Sequence, residues 1–591
     1  MEDQVRTREL AVVGLLAWFT GISILATGYN HVYGHNHAFQ IVLVQKLNQP
    51  DLYPHDPLAE AVYHYASVFW YGVAFLARFV NLSLLLFILF VISKMLFVLA
   101  GYRLGRTFFP SSNYTPFVGM ILMAITPQLL FGGGYVTNYA QQTLFAIALL
   151  LLALDAFLNK RWGLFALCLG LGINMNMMFS IYGITYLMAS LIAYRFTGGK
   201  HGSLWKALAS FAGALVIGTP GFYLVFRAII HDADYNPMSV WQTAELSYPY
   251  HFYPQLWELP RQLLALFLAG VVILTVYRFP NASPVGMHLV LWTGVAFIWY
   301  LLGWSSILIH SLPLLHLHPV RALVLWQLLS MLFITNFIIN YLENIKLLIN
   351  KLSFSLYLLY LLLLLIISSL DKLQSRLLLV SIGLTIIVSE VGRLILKHRA
   401  SKYHVSFTVA ALITITFAIF VSLYATGAHL QRIRRSGNLL GIEQYPAYQI
   451  AAWAKEKTAK EEVFLVPTYF GEGWGCFRHL AQRSVFTRIY DGVAWPFAPW
   501  FAETWLERIK ALGFYETWGI DEKSYTIGDW IHIWSSSEEN YVRAYEQVDE
   551  KRVRKLRSQY RIDYWITKSS TPTSFPTVYQ LGEWKVVRVS E

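Results

Sequence analysis

A polytopic α-helical membrane protein carrying a C-terminal extracytoplasmic mixed α/β domain is the fold class this sequence predicts, on three observations. Of its 591 residues, 56% are hydrophobic and only 14% charged, where a soluble domain carries roughly 25% charged residues. Apolar runs near the length that spans a bilayer, such as "LLLFILFVISKMLFVLAG" and "LYLLYLLLLLIISSL", recur as far as about residue 428. Beyond that point the pattern changes to short amphipathic helices and strands.

The amino terminus, "MEDQVRTREL", opens onto an apolar stretch ending at "ATGYN" without a small-residue cleavage site, so a retained first helix is expected. Periodicity and run length place about 13 spans, near 10–29, 80–101, 114–131, 138–157, 162–177, 180–194, 206–228, 261–277, 286–304, 320–341, 353–370, 376–395 and 405–427. The fifth and sixth are short and share "GINMNMMFSIYG", which fits a re-entrant pair or two stubby helices.

Alternate loops carry Arg6 and Arg8, Arg103 and Arg106, Lys160 and Arg161, Arg195 with Lys200 and Lys206, and later Arg393, Lys397 and Arg399. This positive-inside bias puts the amino terminus in the cytoplasm. Residues 1–428 then form the transmembrane domain, and residues 429–591 lie outside as a soluble domain. The net charge of +12 follows the same loops; no base-stacking motif or nucleic-acid fold signature accompanies it, so no nucleic-acid partner is expected. Cys168 and Cys476 are too few for a disulfide framework.

In the tail, "YPAYQIAAWAKEKT" continues an amphipathic helix, "EVFLVP" and "RSVFTRIYDG" read as strands, and "WFAETWLERIKALG" as a helix. The stretch "VRKLRSQYRIDYWITKS" is a helix running into a strand, and "EWKVVRVSE" a closing strand.

Candidate chemistry gathers on the predicted outer side. In "NQPDLYPHDPLAE", prolines flank Asp56 and restrict the backbone around it, which suits a rigidly placed general base; Asp51 stands on the same loop. The alternative is that both acids accept backbone N–H bonds within the turns. Arg321, in "HLHPVRALVLW", opens a span behind Pro319, and a guanidinium there matches phosphate oxygens or snorkels to lipid headgroups. The histidines of "HVYGHNH" (His31, His35, His37) and "HSLPLLHLH" (His316, His318) raise a divalent metal as a cofactor, although their spacing matches no strong zinc signature. Tyr250 and His251 lie in "YPYHFYP" on a further outer loop. Arg478, Arg483, Arg488 and Asp491 in the tail read either as ligands of acceptor or lipid or as solvated or paired groups. No P-loop, Rossmann fingerprint or nucleophile elbow is present.

An acid soon after span one, paired short helices in the middle, an Arg-led late span and an outer α/β tail together resemble the GT-C superfamily of membrane glycosyltransferases. Within it, the chain resembles bacterial members whose first outer loop reads approximately "p.lyp.D" and whose tail reads approximately "fR..s.Rsvf". Here these are "PDLYPHD" and "CFRHLAQRSVFTRIYDG". The resemblance implies a polyprenyl-phosphate-linked sugar as donor, an unidentified glycan, lipid or protein acceptor, inverting displacement, and residence in the bacterial cytoplasmic membrane among its lipids. It implies Asp56 as base and Arg321 as the phosphate ligand, with Asp51, Tyr250, His251 and the outer histidines around them. Several members carry paired acids near the end of span one, where this chain has "GYNHVYGHNH".

Two further function classes stay open: a non-catalytic scaffold or assembly subunit of the same fold, and a lipid or solute transporter. Transporters place polar sites near the midplane, often between repeats. Here Lys94, Asp155 and Glu390 read as lying toward the cytoplasmic ends, and no repeat is seen.

Overall fold

The computed structural model describes residues 12–343 and 445–589, except 22, 25–28, 30–35, 113–114, 126–136, 138, 197–200, 232–234, 248–250, 252, 255–256, 258–268, 271–284, 310, 470 and 520–536. The spans expected at 353–370, 376–395 and 405–427, and most of 261–277, lie outside the described residues, as do His31, His35, Tyr250 and Glu390.

The first departure from expectation follows α1 (Val12–Gly21). Where the sequence suggested one polar loop, three helices form: α2 (His37–Asn48), α3 (Pro57–Ala61) and α4 (Val68–Leu76). Most of α2 is buried, including His37, Gln40 and Lys46; a helix covered all round belongs inside a protein. Its Lys46 reaches out to Glu60 of α3 at 2.7 Å.

Helix α5 (Leu82–Phe108) begins at Asn81, whose side chain accepts from the Ser83 and Leu84 amides at 3.0 and 3.2 Å. Its 27 residues rise about 40 Å, more than the ~30 Å hydrocarbon core. This length corrects the placement of Lys94, which sits near the helix midpoint instead of toward one end. The Lys94 ammonium is fully buried, meets no hydrogen-bond partner among the described residues, and lies 5.4 Å from the Phe90 ring centroid. Asp155, by contrast, is at a helix end, held by Arg103 at 2.9 Å and Thr107 at 2.6 Å.

Helices α6 (Thr115–Ile125) and α7 (Gln142–Leu158) pack beside α5, and α7 is the buried centre of the bundle. The expected short pair is α8 (Trp162–Met175) and α9 (Met177–Phe196), two helices hinged at the extended residue Asn176. The single span expected at 206–228 is instead a broken pair, α10 (His201–Ile217) and α11 (Thr219–His231), bent by 57°. The cause is "IGTPG": Pro220 lacks a donor, and Gly218 fits against Ile173, whose Cγ2 would stand 2.7 Å from any added Cβ. The freed backbone groups are not left dry. Asn174 accepts from the Gly221 amide at 2.8 Å and donates to the Ile217 carbonyl at 2.9 Å.

Then follow α12 (Pro237–Ser247), α13 (Val285–Ile309), α14 (Leu312–Leu317), a 3-10 turn at Pro319–Ala322 and α15 (Leu323–Glu343). Among the described residues, three helices are long and apolar enough to cross a bilayer, four if the bent pair is one span. The chain is a multi-pass membrane protein by this measure.

The C-terminal part is an α/β unit with a five-stranded sheet in the order β2-β1-β3-β5-β4. Its elements are α16 (Pro446–Lys457), β1 (Val463–Leu465), α17 (Phe477–Ala481), β2 (Ser484–Val485), α18 (Phe501–Ala511), α19 (Phe514–Trp518), α20 (Ser537–Glu546), α21 (Glu550–Gln559), β3 (Tyr564–Lys568), β4 (Thr577–Leu581) and β5 (Trp584–Arg588). β1 runs parallel to β2 and β3, and β5 antiparallel to β3 and β4. Most of the expected helices and strands recur, but the strand expected in "RSVFTRIYDG" is only the two residues of β2, and its end is a 3-10 turn at Ile489–Ala494; α17, α19, α20 and β4 are additions to the expected set. Both cysteines are free and buried.

Candidate functional site

The segment that carries Asp51 and Asp56 is the seat of the C-terminal unit. Asp56 has extended backbone (φ −109°, ψ 105°) ahead of Pro57, so it N-caps α3: one carboxylate oxygen accepts the Leu58 amide at 3.1 Å. Its other oxygen accepts Arg478 Nε at 2.6 Å and the Val485 amide at 2.9 Å. Val485 belongs to β2, the edge of the sheet, so the carboxylate covers an outward-facing edge N–H. Arg478 then turns its two terminal nitrogens on Asp491, at 2.9 and 2.6 Å. This is the bidentate geometry that makes guanidinium–carboxylate pairs strong. Asp491 also accepts the Arg488 amide at 3.0 Å.

All three side chains are 1–3% exposed. Burial works against the Arg478 charge, but Asp491 and Asp56 outweigh it and hold its pKa above the usual arginine value. At Arg488 burial wins over Asp491, and the pKa falls to about 10, leaving the group charged at neutral pH.

The open carboxylate expected at Asp56 is therefore corrected: it is 2% exposed and committed to three donors. Asp51 is exposed and pairs with Lys460 at 2.7 Å. Other contacts seal the seam: Gln45 donates to the His479 carbonyl at 2.9 Å, and His55 meets Arg561 at 2.9 Å. The tail arginines are paired, one of the two readings the sequence left open. Arg483 donates to the Lys455 and Thr458 carbonyls at 2.8 and 2.6 Å.

A second cluster lies beside this seam, at the end of the bundle that carries the C-terminal unit. Gln40 donates to the Tyr65 hydroxyl and to Gln142, each at 3.1 Å; Trp70 donates to Gln142 at 2.8 Å, and Gln142 donates to Tyr65. His37 donates to the Ala140 carbonyl at 2.8 Å, and Tyr490 to Asn36 at 2.8 Å. Arg321, in the turn ahead of α15, acts on Tyr65: burial pushes the Tyr65 hydroxyl up to about 12, while Gln40, Gln142 and the Arg321 charge pull it back. Next to Arg321, His318 takes a left-handed backbone (φ 44°) and stacks on Trp495 at 5.9 Å, and His316 meets the same indole edge-on at 5.0 Å. Tyr53 and Gln482, beside the Asp56 seam, are also left-handed. Such strain, of order 1–3 kcal/mol per residue, persists where surrounding structure over-determines it.

Arg321, His37, His316 and His318 are thus brought to one end of the bundle, with Tyr65, Gln40, Gln142 and Trp495, which sequence reasoning missed. The visible signal was polar "AQQ" opening the apolar helix α7. His251 is buried on a neighbouring segment. No hydrogen bond or ion pair joins Asp56 to Arg321 among the described residues. His37, His316 and His318 each spend a ring nitrogen on a carbonyl, at 2.8 to 2.9 Å, and no group of three metal-ligating side chains gathers among the described residues.

Comparison with known proteins gives a family model, described as a domain of unknown function (DUF6798), over residues 446–512. That stretch holds α16 to α18, with Arg478 and Asp491. No curated protein matches the chain. Among solved structures, the chain is similar to the Archaeoglobus fulgidus oligosaccharyltransferase in the apo form (13% identity, TM-score 0.40, 94% of this chain and 69% of that one). The same enzyme tethered to an acceptor peptide containing the NVT sequon gives 14% identity and TM-score 0.40, with 94% and 69% covered. ArnT from Cupriavidus metallidurans in the apo state gives 12% identity and TM-score 0.42, with 98% of each chain covered.

Proposed function

We propose that this chain is a membrane glycosyltransferase of the GT-C type, moving a sugar by inverting displacement from a polyprenyl-phosphate-linked donor to an acceptor on the outer side of a bacterial cytoplasmic membrane. The observation that carries this reading is the seat of Arg321: a guanidinium in the turn that opens α15, its charge felt by the half-buried Tyr65 hydroxyl, three residues after the His318 that stacks on Trp495. A cation at a helix N-terminus favours an anion, as a lipid phosphate is. A hydroxyl held by two amides adds a donor for its oxygens. Asp56 enters as a positioning residue, since the Asp56–Arg478–Asp491 clamp holds the turn at Ile489–Ala494 that leads into Trp495, the indole stacked on His318.

The test is binding and transfer in nanodiscs. Undecaprenyl phosphate should bind wild type, and Arg321→Ala should weaken it at least tenfold, about 1.4 kcal/mol. Equal binding by both proteins removes Arg321 from the phosphate site.

A non-catalytic subunit of the same fold is the second reading, favoured by one observation: the acid of the first segment is consumed by the clamp. It predicts that wild type binds the lipid yet transfers no sugar from any undecaprenyl-phosphate-linked hexose or pentose.

A further inference from the structure

We infer that Glu245 on α12 is the carboxylate that takes the proton from the acceptor hydroxyl during transfer. This rests on the glycosyltransferase reading and supplies the base that Asp56, buried in its clamp, does not.

Three observations lead there. First, α12 lies in the right neighbourhood. It packs on α18 and on the turn at Ile489–Ala494, with Thr243 donating to the Ala502 carbonyl at 3.3 Å. Val240, Trp241 and Ala244 share one apolar cluster with Tyr253, Leu315 and Trp495, and Trp495 is the indole stacked on His318, three residues before Arg321.

Second, the commitments of the acids differ. Asp56 accepts from three donors, Asp491 chelates Arg478, Asp155 holds Arg103, Glu60 holds Lys46, and Asp51 holds Lys460. Glu245 accepts a single hydrogen bond, from the Tyr253 hydroxyl to Oε1 at 3.2 Å, and has no cation partner among the described residues. The side chain is part-exposed, so Oε2 is the oxygen left to receive a proton.

Third, burial pushes the Glu245 carboxyl up to about 7, with the Tyr253 hydrogen bond pulling the other way. A base with a pKa near the working pH is ionised enough to act and basic enough to accept. Tyr53, by comparison, is merely buried and lies on the clamp. The charged and titratable groups on the elements packed around α12 are Glu503, Glu507, Arg508 and Lys510 of α18, Tyr490 and Asp491 of the turn, His316 of α14, and His251 beside Tyr253. Burial and Tyr253 set the Glu245 shift, without a charge from any of them.

The step balances. The acceptor O–H proton passes to Glu245 Oε2 as the acceptor oxygen bonds to the anomeric carbon; the bond from that carbon to the donor phosphate oxygen breaks, and its electron pair leaves with the phosphate, whose charge Arg321 faces. Glu245 then releases the proton to water.

The experiment uses the full chain in nanodiscs with undecaprenyl-phosphate-linked radiolabelled sugars and a cell-envelope lipid extract as acceptor. Glu245→Gln should lower kcat about 10²- to 10⁴-fold, with undecaprenyl phosphate binding unchanged within twofold. Wild-type kcat/KM should rise with pH through about 7, and Tyr253→Phe, which removes the hydrogen bond holding the pKa down, should move that limb to higher pH. Glu245→Asp should retain part of the rate. If Glu245→Gln transfers within threefold of wild type with the same pH limb, Glu245 is not the base, while the glycosyltransferase reading stands. If wild type neither binds undecaprenyl phosphate nor transfers sugar, both fall.

Discussion

Replacing Arg478 by methionine keeps much of the side-chain volume but leaves Asp56 and Asp491 inside the protein without the cation they share. Removing one partner of a buried pair costs about 3–5 kcal/mol. Here the lower end applies, because Asp56 keeps the Leu58 and Val485 amides and Asp491 keeps that of Arg488. For a unit the size of the C-terminal part, each kcal/mol shifts the melting midpoint by about 2–4 °C. A loss of ~3 kcal/mol thus becomes a fall of about 6–12 °C. The assay is thermal unfolding of the detergent-solubilised chain, followed by tryptophan fluorescence, since Trp474, Trp495 and Trp505 are buried in the unit that should loosen. Lys460→Ala serves as the control: its pair with Asp51 is exposed, and its midpoint should not move. Adding Asp56→Asn to Arg478→Met should recover part of the loss, since Asn can still cap α3 while no longer carrying a buried charge without its cation. A midpoint for Arg478→Met within about 2 °C of wild type, less than 1 kcal/mol, would refute the clamp.

Glu245→Gln should be more stable than wild type at pH 8 and equal at pH 4. The folded-state pKa of about 7 lies above the 4.5 of an exposed glutamate, so folding favours the protonated form and wild type loses stability as pH rises from about 4.5 to 7; each pKa unit is about 1.4 kcal/mol, giving a gain of about 1–3 kcal/mol for the variant. Thermal melts at both pH values check this, and a lower midpoint for Glu245→Gln at pH 8 would contradict the burial account. Asn174→Ala should strand the Gly221 amide and Ile217 carbonyl at the break between α10 and α11. Each group left buried and unpaired costs about 1–3 kcal/mol, so an unchanged midpoint would show that the break needs no such support.

Much of the tail was legible because its signals are local. "EVFLVP" is a short apolar run between polar segments and became the buried β1, and "VRKLRSQYRIDYWITKS" switches period within itself, as α21 and β3 do. β4 was missed because it is an exposed edge strand, and "TVYQL" carries no buried face to betray it. The break at Gly218 had a visible cause in "IGTPG", overridden by the length of the apolar run. Arg321 behind Pro319 was legible for the same local reason. Asp56 was misjudged: Asp-Pro ahead of "LAEA" is a helix-start signature, but its ionic partner lies 422 residues away, and no pattern within the loop points that far. Tyr65 stood out by no motif, and Glu245 was one of several acids on its loop; what sets each apart is its partners in the fold, Gln40 and Gln142 for Tyr65 and Tyr253 for Glu245.

The separation of Asp56 from Arg478 also orders the protein's birth. A ribosome adding about 5–20 residues per second needs roughly 20–80 s to cover the 422 residues between them. During that interval the helices of the first segment are complete in sequence while their binding face for the tail stays empty. Until α17 is made, that acid has only the amide of its own helix and water. Any truncation ahead of Arg478 leaves this face permanently unmatched, a state that a quality-control protease can distinguish from the finished molecule.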